Sequence, residues 1–296
     1  MKKALFFAIC FCVCFIVAAF TMRRSSNTKP VVKHEKPVIR TGISRFYTLY
    51  ATHMKAGNAM MNGDYITANE ASARLRDGLT PDNLAMPGAD GNMWQYIYQT
   101  QLLTLVRFGK WEEVLRDSPV DTLVYAALLS HFARGMALAR LNDIAAADDE
   151  LEWLEAALMD FGLKTSSDLL EAVYCPGTIA RDILTGMIAA AKKDYRAAIT
   201  ALEQAVITED ELPQGKIRYW ILPARHYLGD VYLQMKEYQK AISVFNADLQ
   251  INSGNIWALQ GLVLAYAAIN DATGIKNTRE KMANNYSGRR IERPVF

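Results

Sequence analysis

The side chains that could do chemistry are few and widely spaced in this chain of 296 residues. Cys10, Cys12 and Cys14 lie together in an apolar N-terminal run, and Cys175 stands alone beside Pro176. A reactive thiol needs a neighbouring positive charge to stabilise its thiolate, and no basic cluster adjoins Cys175, so it reads as a small packed residue. No phosphate-cradling glycine loop, paired-cysteine metal spacing, His-Glu-x-x-His or Gly-x-Ser-x-Gly occurs. The acidic run Asp143, Asp148, Asp149, Glu150, Glu152 and Glu155 winds around a helix whose apolar face is Ile144, Ala147, Leu151 and Leu154. It is a solvated face rather than a carboxylate pair set for catalysis. Arg289, Arg290 and Arg293 in the C-terminal tail are likewise solvated charge. No catalytic residue, metal site or cofactor is expected.

The elements that position these residues are helices. Hydrophobic residues make up 51% of the chain, Ala-Leu tracts recur, and alternating Val, Ile and Thr runs are absent, which specifies an all-α protein. A net charge of +2 and the lack of interleaved aromatic and basic residues give no reason to expect a nucleic-acid partner. Taking one small residue as origin, the same offsets recur. Gly135 is followed by Leu138, Ile144, Ala147, Leu151 and Leu154; Gly186 by Ala189, Tyr195, Ala198, Leu202 and Ala205; Gly229 by Tyr232, Tyr238, Ala241 and Phe245. A looser copy runs from Ala56 through Ala59, Tyr65, Ala68 and Leu75. Another keeps Leu102, Leu105, Trp111 and Val114 until Pro119 cuts its second helix short. A last copy opens at Trp257 and Gly261 and decays at Thr273 and Asn277, as suits a terminal unit facing solvent. Each copy is a helix hairpin with no core of its own, and the spacing therefore predicts about six hairpins stacked on one another.

Leu228-Gly229 with Tyr232, then Ala241 with Phe245, resemble the tetratricopeptide repeat signature, and Trp257 with Gly261 matches its opening. A Leu-Val-Arg-Phe-Gly-Lys-Trp-Glu-Glu-Val-Leu segment, Leu105 to Leu115, ahead of His131 to Gly135, also resembles a bacterial-type repeat group. The resemblance covers roughly residues 44–285 and implies a right-handed superhelical solenoid whose concave face, lined by the first helix of each hairpin, takes a protein or peptide partner. Positions pointing to that face include Met60, Met61, Gln99, Arg107 and Ile183. Phe132, Met136, Met187, His226, Asp230 and Gln234 form the candidate partner-binding groove. Either these line an adaptable groove or they pack within a tight superhelix. The Lys-Asn-Arg clamp with which some tetratricopeptide domains hold a terminal carboxylate is not present, since His53, Gln99, Phe132, Ile183 and His226 stand in its places. His53 and His226 lie four hairpins apart, tens of ångströms at about 8–10 Å per stacked helix, and cannot share a metal. His131 is expected to be packed or half-buried.

Three departures from regular stacking are expected: a loop over Thr80–Asn92, a short extra helix over Thr165–Cys175 capped by Asp168, and an insertion around Glu209–Tyr219, where Gly186 and Gly229 stand 43 residues apart. At the N-terminus, Lys2 and Lys3 precede an uncharged apolar run from Ala4 to Phe20. Residues 1–22 are a signal peptide or a membrane anchor, with attachment through residues 4–22, and residues 23–43 are a basic polar linker. The repeats occupy 44–285 and a tail 286–296. The expected location is the periplasm or cell exterior, or a single-pass membrane anchorage, although the basic residues after the run oppose export on a positive-inside count. The expected function is a non-catalytic scaffold that binds a peptide segment of a partner. The alternatives are an accessory subunit of an envelope enzyme complex or an enzyme of an unrecognised kind. The oligomeric state is left open.

Overall fold

Six turns share one backbone conformation, and they set the architecture. Gly63, Gly109, Asn142, Lys193, Lys236 and Asn270 all have φ between 58° and 66°. At each, the N–H of the left-handed residue bonds a carbonyl three residues back and the next N–H bonds one five residues back, as in Lys193 to Ala190 (2.9 Å) and Asp194 to Ala189 (2.9 Å). This closes a helix C-terminus by satisfying its last carbonyls. The carboxylate that follows starts the next helix: Asp64, Asp143 and Asp194 accept from the backbone N–H of Thr67, Ala146 and Ala197, and Asp271 accepts from Gly274.

The computed structural model describes residues 38–117, 122–159, 168–212 and 220–285. Its fourteen described helices are α1 (Val38–Met61), α2 (Tyr65–Gly78), α3 (Pro81–Leu84), α4 (Gly88–Tyr98), α5 (Thr100–Arg107), α6 (Trp111–Arg116), α7 (Val124–Arg140), α8 (Ile144–Leu158), α9 (Asp168–Ala191), α10 (Tyr195–Glu211), α11 (Ala224–Gln234), α12 (Tyr238–Ile251), α13 (Ile256–Ala268) and α14 (Ala272–Asn285). No strand occurs among the described residues. They pair as hairpins α1/α2, α4–α5/α6, α7/α8, α9/α10, α11/α12 and α13/α14, stacked in chain order as a helical repeat solenoid. Ile43–Phe296 form one compact unit; of the other, Met1–Gly42, only residues 38–42 at the start of α1 are described.

The glycines at the repeat origins hold the stack together. A Cβ on Gly135 would meet Leu184 at 2.7 Å, and one on Gly186 would meet Leu202 at 2.6 Å. The Phe245 ring lies against both Gly229 of its own hairpin and Gly261 of the next, with no room for a Cβ on either. One fully buried aromatic thus joins α12 to α11 and to α13. The final hairpin ends as its sequence suggests, with Thr273 and Asn277 exposed.

Two expected irregularities take other forms. Thr80–Asn92 is not simply a loop: Pro81–Leu84 is a helical turn, because Thr80 and Asn83 form a reciprocal cap with Pro81 in the first position. The helix through Asp168 does not stop at Cys175 but continues past Pro176 to Ala191. Proline there forfeits one backbone hydrogen bond, and α9 is held on its C-terminal side by burial of Gly177, Ile179, Ala180, Ile183 and Leu184. The side chain of Cys175, the Ala4–Phe20 run, the linker to residue 37 and the tail from residue 286 lie outside the described residues. Among the described residues, no helix is long and apolar enough to cross a membrane.

Lys193 and Lys236 occupy left-handed positions at φ 64° and 62°, which cost a non-glycine residue about 1–2 kcal/mol, against about 0.5–1 kcal/mol of extra chain freedom lost by glycine. Lys236→Gly is expected to raise stability by about 0.5–1 kcal/mol in urea unfolding. Lys236→Val is expected to lower it.

Candidate functional site

The inward positions of the first helices converge on a dry interior. Phe132 and Met136 of α7, Met187 of α9, and His226 and Asp230 of α11 are all buried, and Gln234 at the end of α11 is exposed. Phe132, Met136 and Met187 belong to one hydrophobic cluster that also contains Met60, Ile183, Trp220, Ile221 and Leu222. The last three come from the link between α10 and α11. Trp220 meets the Phe132 ring edge-on at 5.7 Å. Ile221 Cγ2 lies 3.4 Å from where a Cβ on Gly57 of α1 would be. Burial pushes the Tyr96 phenol of α4 well above its ordinary range, and the backbone of Ile221 is close enough to oppose that shift. Trp220 Nε1 donates to Leu222 O (2.5 Å), so the ring is locked by its own segment. The inner surface of the first three hairpins is therefore covered by residues that follow the fourth.

A buried polar chain runs beside this segment. Arg107, at the end of α5, is fully buried and its Nη2 donates to His226 Nδ1. His226 Nε2 lies 3.4 Å from Asp248 Oδ2 and also contacts Asn255 Nδ2. Asp248 of α12 also accepts from Asn252 Nδ2 (2.9 Å) and Asn255 Nδ2 (2.5 Å). Asn255 caps α13 by accepting from Trp257 N (3.2 Å), and Trp257 Nε1 donates to Met60 O of α1 (2.7 Å). The Arg107 guanidinium lies 5.1 Å from the centre of the Trp257 ring, which Phe108 meets edge-on. Burial alone would raise the Asp248 carboxyl; the charge and hydrogen bond of His226, with the two asparagines, hold it below its ordinary value. Burial lowers the Arg107 guanidinium against the pull of Tyr227, Asp248 and Glu209, and pushes the Tyr227 phenol up to about 12. This chain joins α1, α5, α11, α12 and α13, helices remote in sequence.

The other two histidines among the described residues, His53 and His131, are held in side-chain contacts. His53 Nδ1 is 2.9 Å from Thr100 Oγ1, and its ring meets Tyr96 edge-on at 5.4 Å. His131 is half-buried, with Nδ1 2.7 Å from Glu150, which also accepts from Arg134 Nε at 2.6 Å. Burial alone would raise the Glu150 carboxyl, but His131 and Arg134 hold it low. Within the acidic run, Asp149, Glu152 and Glu155 are exposed, whereas Asp148 pairs with Lys192 at 2.8 Å and links α8 to the end of α9. Among the described residues, no three His, Cys, Asp or Glu side chains are grouped to hold a metal ion.

The base of the α10–α11 link is closed by two contacts. Glu209 Oε2 accepts from Ala224 N (2.8 Å), and Arg225 makes a two-pronged bond to Asp210 at 2.8 and 2.6 Å. Burial raises the Glu209 carboxyl to about 7, with the Asp248 and Asp210 charges adding to the shift and Ala224 N–H and Arg225 opposing it. Sequence reasoning missed this cluster and the seat of Trp220–Leu222. The available signal was an apolar Trp-Ile-Leu-Pro run inside a break between repeats, where a solvated insertion would be polar.

Stacked hairpins with matched turns define a helical repeat solenoid. Comparison with family models matches residues 222–255, which are α11, α12 and their flanks, to the tetratricopeptide repeat. No curated protein and no solved structure matches the chain. The matched hairpin contains both Gly229–Phe245 packing and the His226–Asp248 contact.

Two outcomes are expected from this geometry. Asp248→Ala strips the buried Arg107–His226 pair of its nearest carboxylate and should cost about 3–5 kcal/mol in urea unfolding. Arg107 Nε and Nη1 have no hydrogen-bond partner among the described residues, so Arg107→Met, which also removes a buried charge, should cost less than Asp248→Ala in the same measurement. For Glu209, the folded-state value of about 7 lies above the ordinary 4.5. The folded chain therefore holds more protons than the unfolded one in that interval, and this group's contribution falls as pH rises from about 4.5 to 7. Unfolding free energies at pH 5 and 7.5 should differ less in Glu209→Gln than in the unaltered protein.

Proposed function

We propose that this protein is a non-catalytic scaffold whose solenoid holds an extended segment of a partner protein on its concave face, with the N-terminal apolar run exporting it or tethering it at the cell envelope. A tetratricopeptide repeat is a protein-interaction module, and that match, set in a stack of six similarly turned hairpins, carries the reading. Rigid stacking presents the first helices as a continuous inner surface. Of the candidate residues, Phe132, Met136, Met187, His226 and Asp230 are buried, and Gln234 is exposed and is the one most open to a partner. An accessory role in an envelope enzyme complex would use the same surface, with the enzyme as partner.

Two measurements test the proposal. A photo-crosslinker placed at Gln234 in the full-length protein, activated in native membranes, is expected to yield one discrete protein adduct. Absence of any adduct, together with turnover by the purified chain in a broad activity screen, would overturn it in favour of an enzyme. For the location, the intact mass of the mature chain is expected to show either an N-terminus near Phe20 or an intact Met1 in the membrane fraction. An intact Met1 in the soluble cytosolic fraction would reject both.

A further inference from the structure

Residues of the α10–α11 link pack against first helices of earlier hairpins. In a solenoid each repeat touches its neighbours, because stacking is the only contact its geometry provides. Here the first helices of hairpins one, two and three, through Gly57, Tyr96 and Phe132, touch a non-helical segment that belongs between hairpins four and five. Trp220, Ile221 and Leu222 are 4%, 0% and 0% exposed. They bury large apolar side chains on a surface that stacking leaves uncovered.

We infer that the inner surface formed by Gly57, Tyr96 and Phe132 is a peptide site for an extended aromatic-aliphatic-aliphatic segment ending in proline, and that Trp220–Pro223 is its resident occupant. The inference rests on the scaffold reading above and names both its ligand class and its control. The seat is specific in shape. Ile221 packs beside Gly57 at ordinary contact distance, Phe132 meets the indole ring edge-on, and the apolar lining excludes a charged residue from either place. Burying three large apolar side chains holds the short segment against its lost freedom. The segment is also tethered at its base by Glu209–Ala224 and Asp210–Arg225. Tethering gives it an effective concentration in the millimolar range for a short connection, so an outside peptide making the same contacts binds only in proportion to the open fraction. A partner engages when it offers more than these three side chains, or when the segment has been drawn out.

The test uses an acetylated, amidated peptide reproducing residues 220–225, Trp-Ile-Leu-Pro-Ala-Arg, titrated calorimetrically into the full-length protein. In the double variant Trp220→Ala, Ile221→Ala the seat is vacated. The peptide is expected to bind that variant at least about tenfold more tightly than the unaltered protein, as an open population of about 10% or less requires. Equal affinity for both, or no binding to a variant whose helical circular dichroism and cooperative unfolding are retained, overturns the inference. Should the variant fail to fold, hydrogen exchange on the unaltered protein decides. The amides of Ile221 and Leu222 are expected to exchange through a local opening with much lower protection than those of α7 and α11; exchange only by global unfolding overturns the inference. Peptide binding to the variant needs no outside partner. If it occurs while crosslinking at Gln234 captures nothing and the purified chain shows turnover, self-occupancy stands and the scaffold reading falls; a partner that binds both forms equally leaves the scaffold reading and removes self-occupancy.

Discussion

A helix hairpin buries one side of each helix in its own contact and leaves the others exposed, so none of the six hairpins here is stable without a neighbour. The Phe245 ring shows how that constraint is met. It fills the space over Gly229 in its own hairpin and Gly261 in the next, so that intra-hairpin and inter-hairpin packing are one contact. Leu202 against Gly186 and Leu184 against Gly135 repeat the device earlier in the stack. Each works only because the turn between paired helices aims them consistently, and the left-handed residue at all six turns supplies that aim.

Stacking in one direction creates an inner surface that stacking cannot cover. The first helices therefore present apolar side chains to a space at the axis of the superhelix, where water would be held against Phe132, Met136 and Met187. The protein fills that space from two sources. Trp220, Ile221 and Leu222 enter from the link after α10, and the Arg107–His226–Asp248–Asn255 chain spans the gap between the early and late helices, ending on Trp257 and the carbonyl of Met60. Polar groups at this depth are tolerated because each hands its hydrogen bond to the next, although two nitrogens of Arg107 have no hydrogen-bond partner among the described residues. The interior of this stack is therefore filled by its own side chains.

Much of the architecture was legible from spacing. The recurrence of small residue, aromatic and alanine at constant offsets located the hairpins, and Asn142-Asp143 and Lys193-Asp194 located their turns, because αL termination and carboxylate capping are local effects. Thr80-Pro81 with Asn83 was a local signal too, a reciprocal cap visible in sequence though the stretch looks like a loop. Pro176 misled for the opposite reason: its local effect is to end a helix, and packing along α9 outweighs the lost hydrogen bond. For the candidate site, the inward direction of Phe132, Met136, Met187, His226 and Asp230 followed from helical periodicity, but whether that face is open did not. The partners of His226 lie on α5, α12 and at the start of α13, and no spacing within α11 points to them.

By itself, then, the sequence determined the all-helical class, the number of hairpins and the residues that cement them, because each depends on contacts within one or two repeats. Tertiary structure alone decided what fills the axis of the superhelix. Trp220 reaching Phe132, Ile221 reaching Gly57 and Trp257 reaching Met60 are pairings between segments that stacking brings round to face each other, and a linear pattern with a repeat-length period carries no information about contacts made across the turn of the superhelix.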